Sequence, residues 1–248
     1  MKRILIFTIT LITAFSASAQ KEISNTVANK PKKNLNAVLE RPGDHLMLQI
    51  SSDHWLGAPD SVNNHIKSIS RGFNGYVMMD KPFKASPNVS VAFGIGISTS
   101  SIFFKNMGVD LHSLTTTIPF TNQDSTNHFK KYKLSTAYLE IPLELRYSFN
   151  PLQDAKSIKL AIGAKVGTLL NAHTKGKSPE DKNNNSINSY IEKENAKRFV
   201  NATRLALTGR IGYGHYSIFG VYQVNTIFKS GTAADMKLLQ VGLTISGL

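Results

Sequence analysis

The chain has 248 residues, with 29 Lys+Arg against 16 Asp+Glu and a formal net charge of +13. It contains no cysteine, which excludes disulfides and thiol chemistry. Beyond the first 20 positions no apolar run approaches the ~18 residues of a transmembrane helix, which leaves short alternating strands as the only route across a bilayer.

Residues 1–19 read as a signal peptide. Lys2 and Arg3 form a basic start, residues 4–15 an apolar core, and Ala17-Ser18-Ala19 a small-x-small cleavage site before Gln20. Removing it deletes Lys2 and Arg3 and leaves 27 basic against 16 acidic side chains. Residues 20–43 are polar, carry Lys30-Pro31-Lys32-Lys33 and show no periodicity, as expected of a flexible periplasmic leader. Residues 44–248 are expected to form one β-barrel domain.

Eight candidate strands follow in chain order. Over 45–55, Leu46, Leu48 and Ile50 alternate with Met47, Gln49 and Ser51. Residues 72–81 form the second, with both faces mixed. Over 88–99, Val89, Val91, Phe93, Ile95 and Ile97 oppose Ser90, Ala92, Gly94, Gly96 and Ser98. Over 133–149, Leu139, Ile141, Leu143 and Leu145 oppose Tyr138, Glu140, Glu144 and Arg146. The fifth, 157–171, sets Ile158, Leu160, Ile162, Ala164 and Val166 against Lys159, Ala161, Gly163, Lys165 and Gly167. The sixth, 201–213, sets Leu205, Leu207, Ile211 and Tyr213 against Arg204, Ala206, Thr208, Arg210 and Gly212. The seventh is 216–225. In the eighth, 237–246, Leu239, Val241, Leu243 and Ile245 oppose Leu238, Gln240, Gly242, Thr244 and Ser246.

Successive side chains of a strand point to opposite faces. The connections alternate in length: 82–87, 150–156 and 214–215 are short, whereas 56–71, 100–132, 172–200 and 226–236 are long. Short periplasmic turns alternating with long external loops is the plan of a bacterial outer-membrane barrel. The expected fold is therefore all-β, an eight-stranded antiparallel transmembrane β-barrel. Its lipid-facing side carries Val91, Phe93, Ile95, Leu139, Ile141, Leu143, Leu205, Leu207, Val241 and Leu243. Trp55, Tyr147, Phe149, Tyr213 and Tyr216 fall near strand ends and are assigned to interfacial girdles.

Eight strands enclose only enough space for their own side chains. The inward set includes Glu140, Glu144 and Arg146 on the fourth strand, Lys159 and Lys165 on the fifth, and Arg204 and Arg210 on the sixth. Opposite charges on neighbouring strands predict a lumen ion-pair network, either a plug or a filter for a small solute. The alternative of a soluble lipid-binding barrel needs the opposite arrangement, with the apolar faces inward and these charges in water.

No catalytic, cofactor or metal site is read. Asp53-His54, Asp110-x-His112-Ser113, His128 and His173 lie at strand ends or in loops, without metal-ligand spacing, and neither G-x-S-x-G nor H-E-x-x-H occurs. Residues 178–185 form a charged, Asn-rich external loop.

The chain resembles the PorT-like outer-membrane β-barrel proteins of Bacteroidota. The matching segments are Ser52-Asp53-His54-Trp55-Leu56-Gly57, Ser70-Arg71-Gly72-Phe73-Asn74, Phe93-Gly94-Ile95-Gly96, Tyr138-Leu139-Glu140-Ile141-Pro142-Leu143, the glycine-rich fifth strand, and Tyr222 followed by Phe228-Lys229-Ser230-Gly231. The chain departs from many barrels in ending on Ser246-Gly247-Leu248 rather than an aromatic. The founding member is linked to a protein-secretion pathway and gliding machinery. The resemblance implies a non-enzymatic outer-membrane protein with a structural or accessory role in secretion or envelope assembly. A small-solute channel is the alternative, and a membrane-embedded lipid hydrolase is weaker. Expected partners are outer-membrane lipid and lipopolysaccharide, with envelope or secretion proteins meeting the external loops 100–132 and 172–200. No nucleic acid is expected.

Overall fold

The computed structural model describes residues 46–247; the signal peptide and leader assignments lie outside the described residues. Eleven strands occur there: β1 (Leu46–Leu56), β2 (Arg71–Phe83), β3 (Ser86–Phe104), β4 (Met107–Val109), β5 (Phe120–Asn122), β6 (His128–Ser148), β7 (Ile158–Glu180), β8 (Ile191–Asn195), β9 (Thr203–Tyr213), β10 (Tyr216–Gln223) and β11 (Lys237–Ser246). One short α-helix, α1 (Asp60–Asn63), sits between β1 and β2, and a 3-10 turn (Asp154–Lys156) lies between β6 and β7.

Eight of these close on themselves as an antiparallel barrel in the order β6-β3-β2-β1-β11-β10-β9-β7, with β7 pairing back to β6. Closure leaves no sheet edge within the barrel itself, the only way a sheet can satisfy its backbone inside lipid. The eight barrel strands are the eight read from the alternation. The β2–β3 turn tightens to Lys84-Ala85 alone, β9 and β10 are joined by Gly214-His215 as expected, and the β6–β7 connection spans 149–157. Gly214 has φ +59, and a Cβ there would lie 2.5 Å from Ala155 O, so this turn needs glycine on both counts.

The long connections are not all loop. β3, β6 and β7 run on to Phe104, back to His128 and on to Glu180, well past the expected strand ends, so much of 100–132 and 172–200 is sheet rather than loop. β8 adds to the outer end of β7, and β4 and β5 form a separate hairpin. A shift in the β6–β7 register at Ala137/Tyr138 leaves Leu170 as an extra residue. This bulge moves the inward parity of β7 from odd positions such as Leu169 to even ones such as Ala172.

The apolar side of the strands faces outward. Phe93, Ile95, Ile141, Leu143, Leu205, Leu207, Val241 and Leu243 are exposed, and Val91 and Leu139 are half-buried on the same face. A continuous apolar belt of this kind suits lipid and would be an aggregation surface in water. It also runs against the soluble lipid-binding alternative. Tyr147, Phe149, Tyr213 and Tyr216 are exposed at the short-turn end, and Tyr147 meets Phe149 edge to face at 5.0 Å. Trp55 is a correction: it is 8% exposed and points into the barrel mouth, not into a girdle.

Candidate functional site

The structure places the charged inward residues in stacked layers along the lumen. Nearest the short turns, Glu144 Oε2 accepts from Arg146 Nε at 3.0 Å and from Arg210 Nη2 at 2.9 Å. Arg146 also approaches Asp80 of β2 at 3.9 Å. Lys159 faces inward at the rim below this layer and is half-buried.

The middle layer centres on Glu140 and Lys165. Lys165 Nζ donates to Tyr76 Oη at 3.1 Å and to Gln49 Oε1 at 3.3 Å. Tyr76 Oη in turn donates to Glu140 Oε2 at 2.7 Å. Arg204 Nη1 lies 3.0 Å from Glu140 Oε1, a charge contact out of line for a hydrogen bond. Arg204 also donates to Ser98 Oγ and to Gln240 Oε1, both at 2.9 Å. Gln240 Nε2 passes the chain on to both carboxylate oxygens of Asp53 at 3.1 Å.

Asp53, Asp80, Glu140 and Glu144 therefore face Arg146, Lys165, Arg204 and Arg210, four carboxylates against four cations between the rim and the mouth. Isolated charges there would cost several kcal/mol each, and pairing offsets that cost. Glu140, Lys165, Arg204, Gln49 and Gln240 are at most 2% exposed. A lumen holding an open column of water would leave them accessible.

Small residues make room for these chains. A Cβ on Gly96 would fall 2.5 Å from the Tyr76 ring, and one on Gly167 would fall 2.7 Å from Glu140 Cγ. The inner-face glycines are thus the complement of the bulky groups on the neighbouring strands.

Above the polar layers an apolar cluster closes the mouth. Trp55 meets Phe104 at 5.7 Å and Phe228 at 5.6 Å, both edge to face, and Phe120 packs against Phe228 at 6.0 Å. Ile102, Leu134, Phe199, Val200 and Leu238 complete the lid. Tyr138 joins the two zones: its ring lies 5.7 Å from the Arg204 guanidinium, and its hydroxyl donates to Asn201 O at 3.0 Å. A void of about 10 Å³ lined by Ser100, Tyr138 and Gln223 lies between them, room for one water at most. Arg198 ties the lid across two loops by donating to the carbonyls of Ser113, Leu114 and Thr115 at 3.0–3.3 Å.

Of the residues singled out in sequence, Glu140, Glu144, Arg146, Lys165, Arg204 and Arg210 come together, and Lys159 stays at the rim. Sequence reasoning missed Tyr76, Asp80, Asp53, Gln49 and Gln240. The signal for Asp53 and Trp55 was present, since both share the odd parity of Met47, Gln49 and Ser51. Tyr76 and Asp80 were obscured because β2 carries Gly75 outward and Met78 inward, which blurs the alternation. The described histidines do not converge. Asp53 faces the lumen whereas His54 faces out, and His65, not previously singled out, pairs with Asp124 in the loops at 3.2 Å.

Residues 43–227 match the family described as outer membrane protein beta-barrel domain. The chain belongs to that family. The belt, closure and turn plan of this outer-membrane barrel agree with it. No curated protein matches the chain. Among solved structures, it is similar to the crystal structure of Ail, the attachment invasion locus protein of Yersinia pestis, in complex with the heparin analogue sucrose octasulfate. That likeness has a TM-score of 0.33 and 13% identity, and covers 83% of this chain and 97% of that one.

Proposed function

We propose that this barrel is a sealed, non-enzymatic scaffold of the outer membrane. Its role is to hold a structured external surface against a protein partner in secretion or envelope assembly. The observation that carries this reading is the double closure of the lumen, by a charge-balanced buried network below and an apolar lid above. A filter for ions or small solutes needs accessible charge along an open path. Here the charge is spent on internal pairs. The β4–β5 hairpin and the β6–β7–β8 extension stand on a rigid base, the usual setting for recognition loops. The PorT-like resemblance supports a secretion setting, and the scattered histidines support a role without catalysis.

Planar-bilayer recording of the refolded chain tests the closure, after a heat-shift gel has verified a folded barrel. The expected result is insertion without steady openings. Regular single-channel steps, abolished by neutralising Glu140 and Arg204, would establish the channel alternative instead. Crosslinking in whole envelopes, with and without residues 105–127, tests the partner surface: an adduct lost on deletion supports it.

A further inference from the structure

The outward face of the β6–β7–β8 extension carries a row of like charges. Lys133 on β6 stands directly opposite Lys175 on β7, which stands directly opposite Lys193 on β8. The next row sets Lys131 against Lys177. Arg71 on β2 joins the group through Phe103, whose ring lies 5.4 Å from the Arg71 guanidinium and 5.6 Å from Lys133 Nζ. None of these six cations takes part in an ion pair among the described residues. The acids of the same strands point the other way: Glu192 and Glu194, with Asp110, line an open pocket of about 250 Å³ on the opposite face.

Like charges placed directly across a sheet destabilise it unless something neutralises them. Burial, then Lys175, Arg71 and Lys193, hold the Lys133 ammonium below its ordinary range. Burial and the same lysines do likewise to His173.

The position of the row says where a counter-charge comes from. Ser135, Ala137 and Leu139 continue the outward face of Lys133 down into the apolar belt. With a rise of ~3.3 Å per residue and a tilt of ~40°, a belt of about 25 Å counted from Tyr147 ends near Ala137, and Lys133 lies about 10 Å beyond it. That height is the headgroup zone of the outer leaflet, and the row faces sideways into it, not up into the medium.

We propose that this lysine ladder is a docking surface for the phosphate groups of glycolipids in the outer leaflet that surrounds the barrel. Phosphate oxygens accept charge-assisted hydrogen bonds from several ammonium groups at once. The exposed Ile191, paired with Lys177 in the second row, adds an apolar contact beside the charges.

The experiment uses the full refolded chain in detergent and native mass spectrometry. Its probes are lipid A carrying its phosphates, the same lipid with the phosphates removed, inorganic phosphate, and a soluble sulfated polysaccharide. The test variant is K133Q/K175Q/K193Q, and K84Q/K156Q/K182Q removes the same charge elsewhere. Each juxtamembrane lysine is worth roughly fivefold in affinity for an anionic surface, so the ladder variant should bind phosphorylated lipid A about a hundredfold more weakly. The control variant should bind it as the natural chain does. Removing opposed lysines relieves repulsion, so the variant is expected to fold, and the heat-shift gel checks this. Equal binding of both lipids, or equal loss in both variants, overturns the proposal. Tighter binding of inorganic phosphate or the polysaccharide than of lipid A overturns the lipid as source. None of these outcomes depends on whether the lumen conducts.

Discussion

Tyr76 Oη donates a 2.7 Å hydrogen bond to Glu140 Oε2, joining β2 to β6 across the intervening β3, while Lys165 donates to the same phenol from β7. One hydroxyl thus couples a buried cation to a buried carboxylate. Tyr76→Phe keeps the ring and removes that relay. Loss of a buried hydrogen-bond partner should cost about 1–3 kcal/mol, read as a lower urea midpoint for the refolded barrel. An unchanged midpoint would mean that Lys165 and Glu140 pair without the phenol.

Glu140→Gln removes the negative charge that faces Arg204 directly and Lys165 through the Tyr76 hydroxyl. Breaking a buried pair from one side should destabilise by about 3–5 kcal/mol, and Glu140→Gln/Arg204→Gln should recover part of the loss. The double-mutant cycle in urea measures this coupling. If the losses simply add, the network is a set of independent contacts. Bilayer recordings of both variants should stay silent, because the lid above is untouched.

Trp55 is the sole tryptophan, so its fluorescence reports the lid directly. Its emission should be blue-shifted and poorly quenched by acrylamide in the folded barrel. Trp55→Ala should cost about 3–5 kcal/mol in the packed cluster. Faster hydrogen exchange should follow at Phe199, Val200 and Phe228, with strand residues around Glu144 unaffected. A Trp55 emission as exposed as that of the urea-unfolded chain would overturn the placement of this ring in the mouth.

Outside the membrane, His65 Nε2 meets Asp124 Oδ2 at 3.2 Å, and Asn106 Nδ2 donates to Asp124 Oδ1 at 3.1 Å. The His65 hydrogen bond, then that of Asn106, hold the Asp124 carboxyl below its ordinary value of 3.8. A carboxyl depressed by folding contributes fully above its unfolded value, and the contribution is lost as pH falls through the lower folded value. The contact between the 57–66 and 122–126 segments should therefore hold at neutral pH and loosen below pH 3.8. Amide exchange at Asn64 and His65 across that range tests it. Asp124→Asn should abolish the pH dependence, and a variant that keeps it would point to another group.

Period-two alternation is a local property, so Phe93-Gly94-Ile95-Gly96 or Leu139-Glu140-Ile141 assign strand and face from a few neighbours alone. That is why the eight barrel strands, the short-turn end and the outward faces of all but the second and seventh strands were legible in the chain. Trp55 shows the limit of reading ends by residue type: its parity placed it inward, but its proximity to a strand end suggested a girdle. Lid packing depends on Phe104, Phe120 and Phe228, which come from segments far apart in sequence.

The sequence by itself determined the barrel class, the lipid-facing side and the presence of opposed charge inside, because each follows from side-chain alternation and composition. Only the tertiary structure decided which charges meet. Pairing Tyr76 with Glu140, or Lys133 with Lys175 and Lys193, depends on strand register. Register is set by closure around the whole ring and by one extra residue at Leu170. A shift of a single position there turns every later side chain of β7 to the other face. No local pattern carries that information.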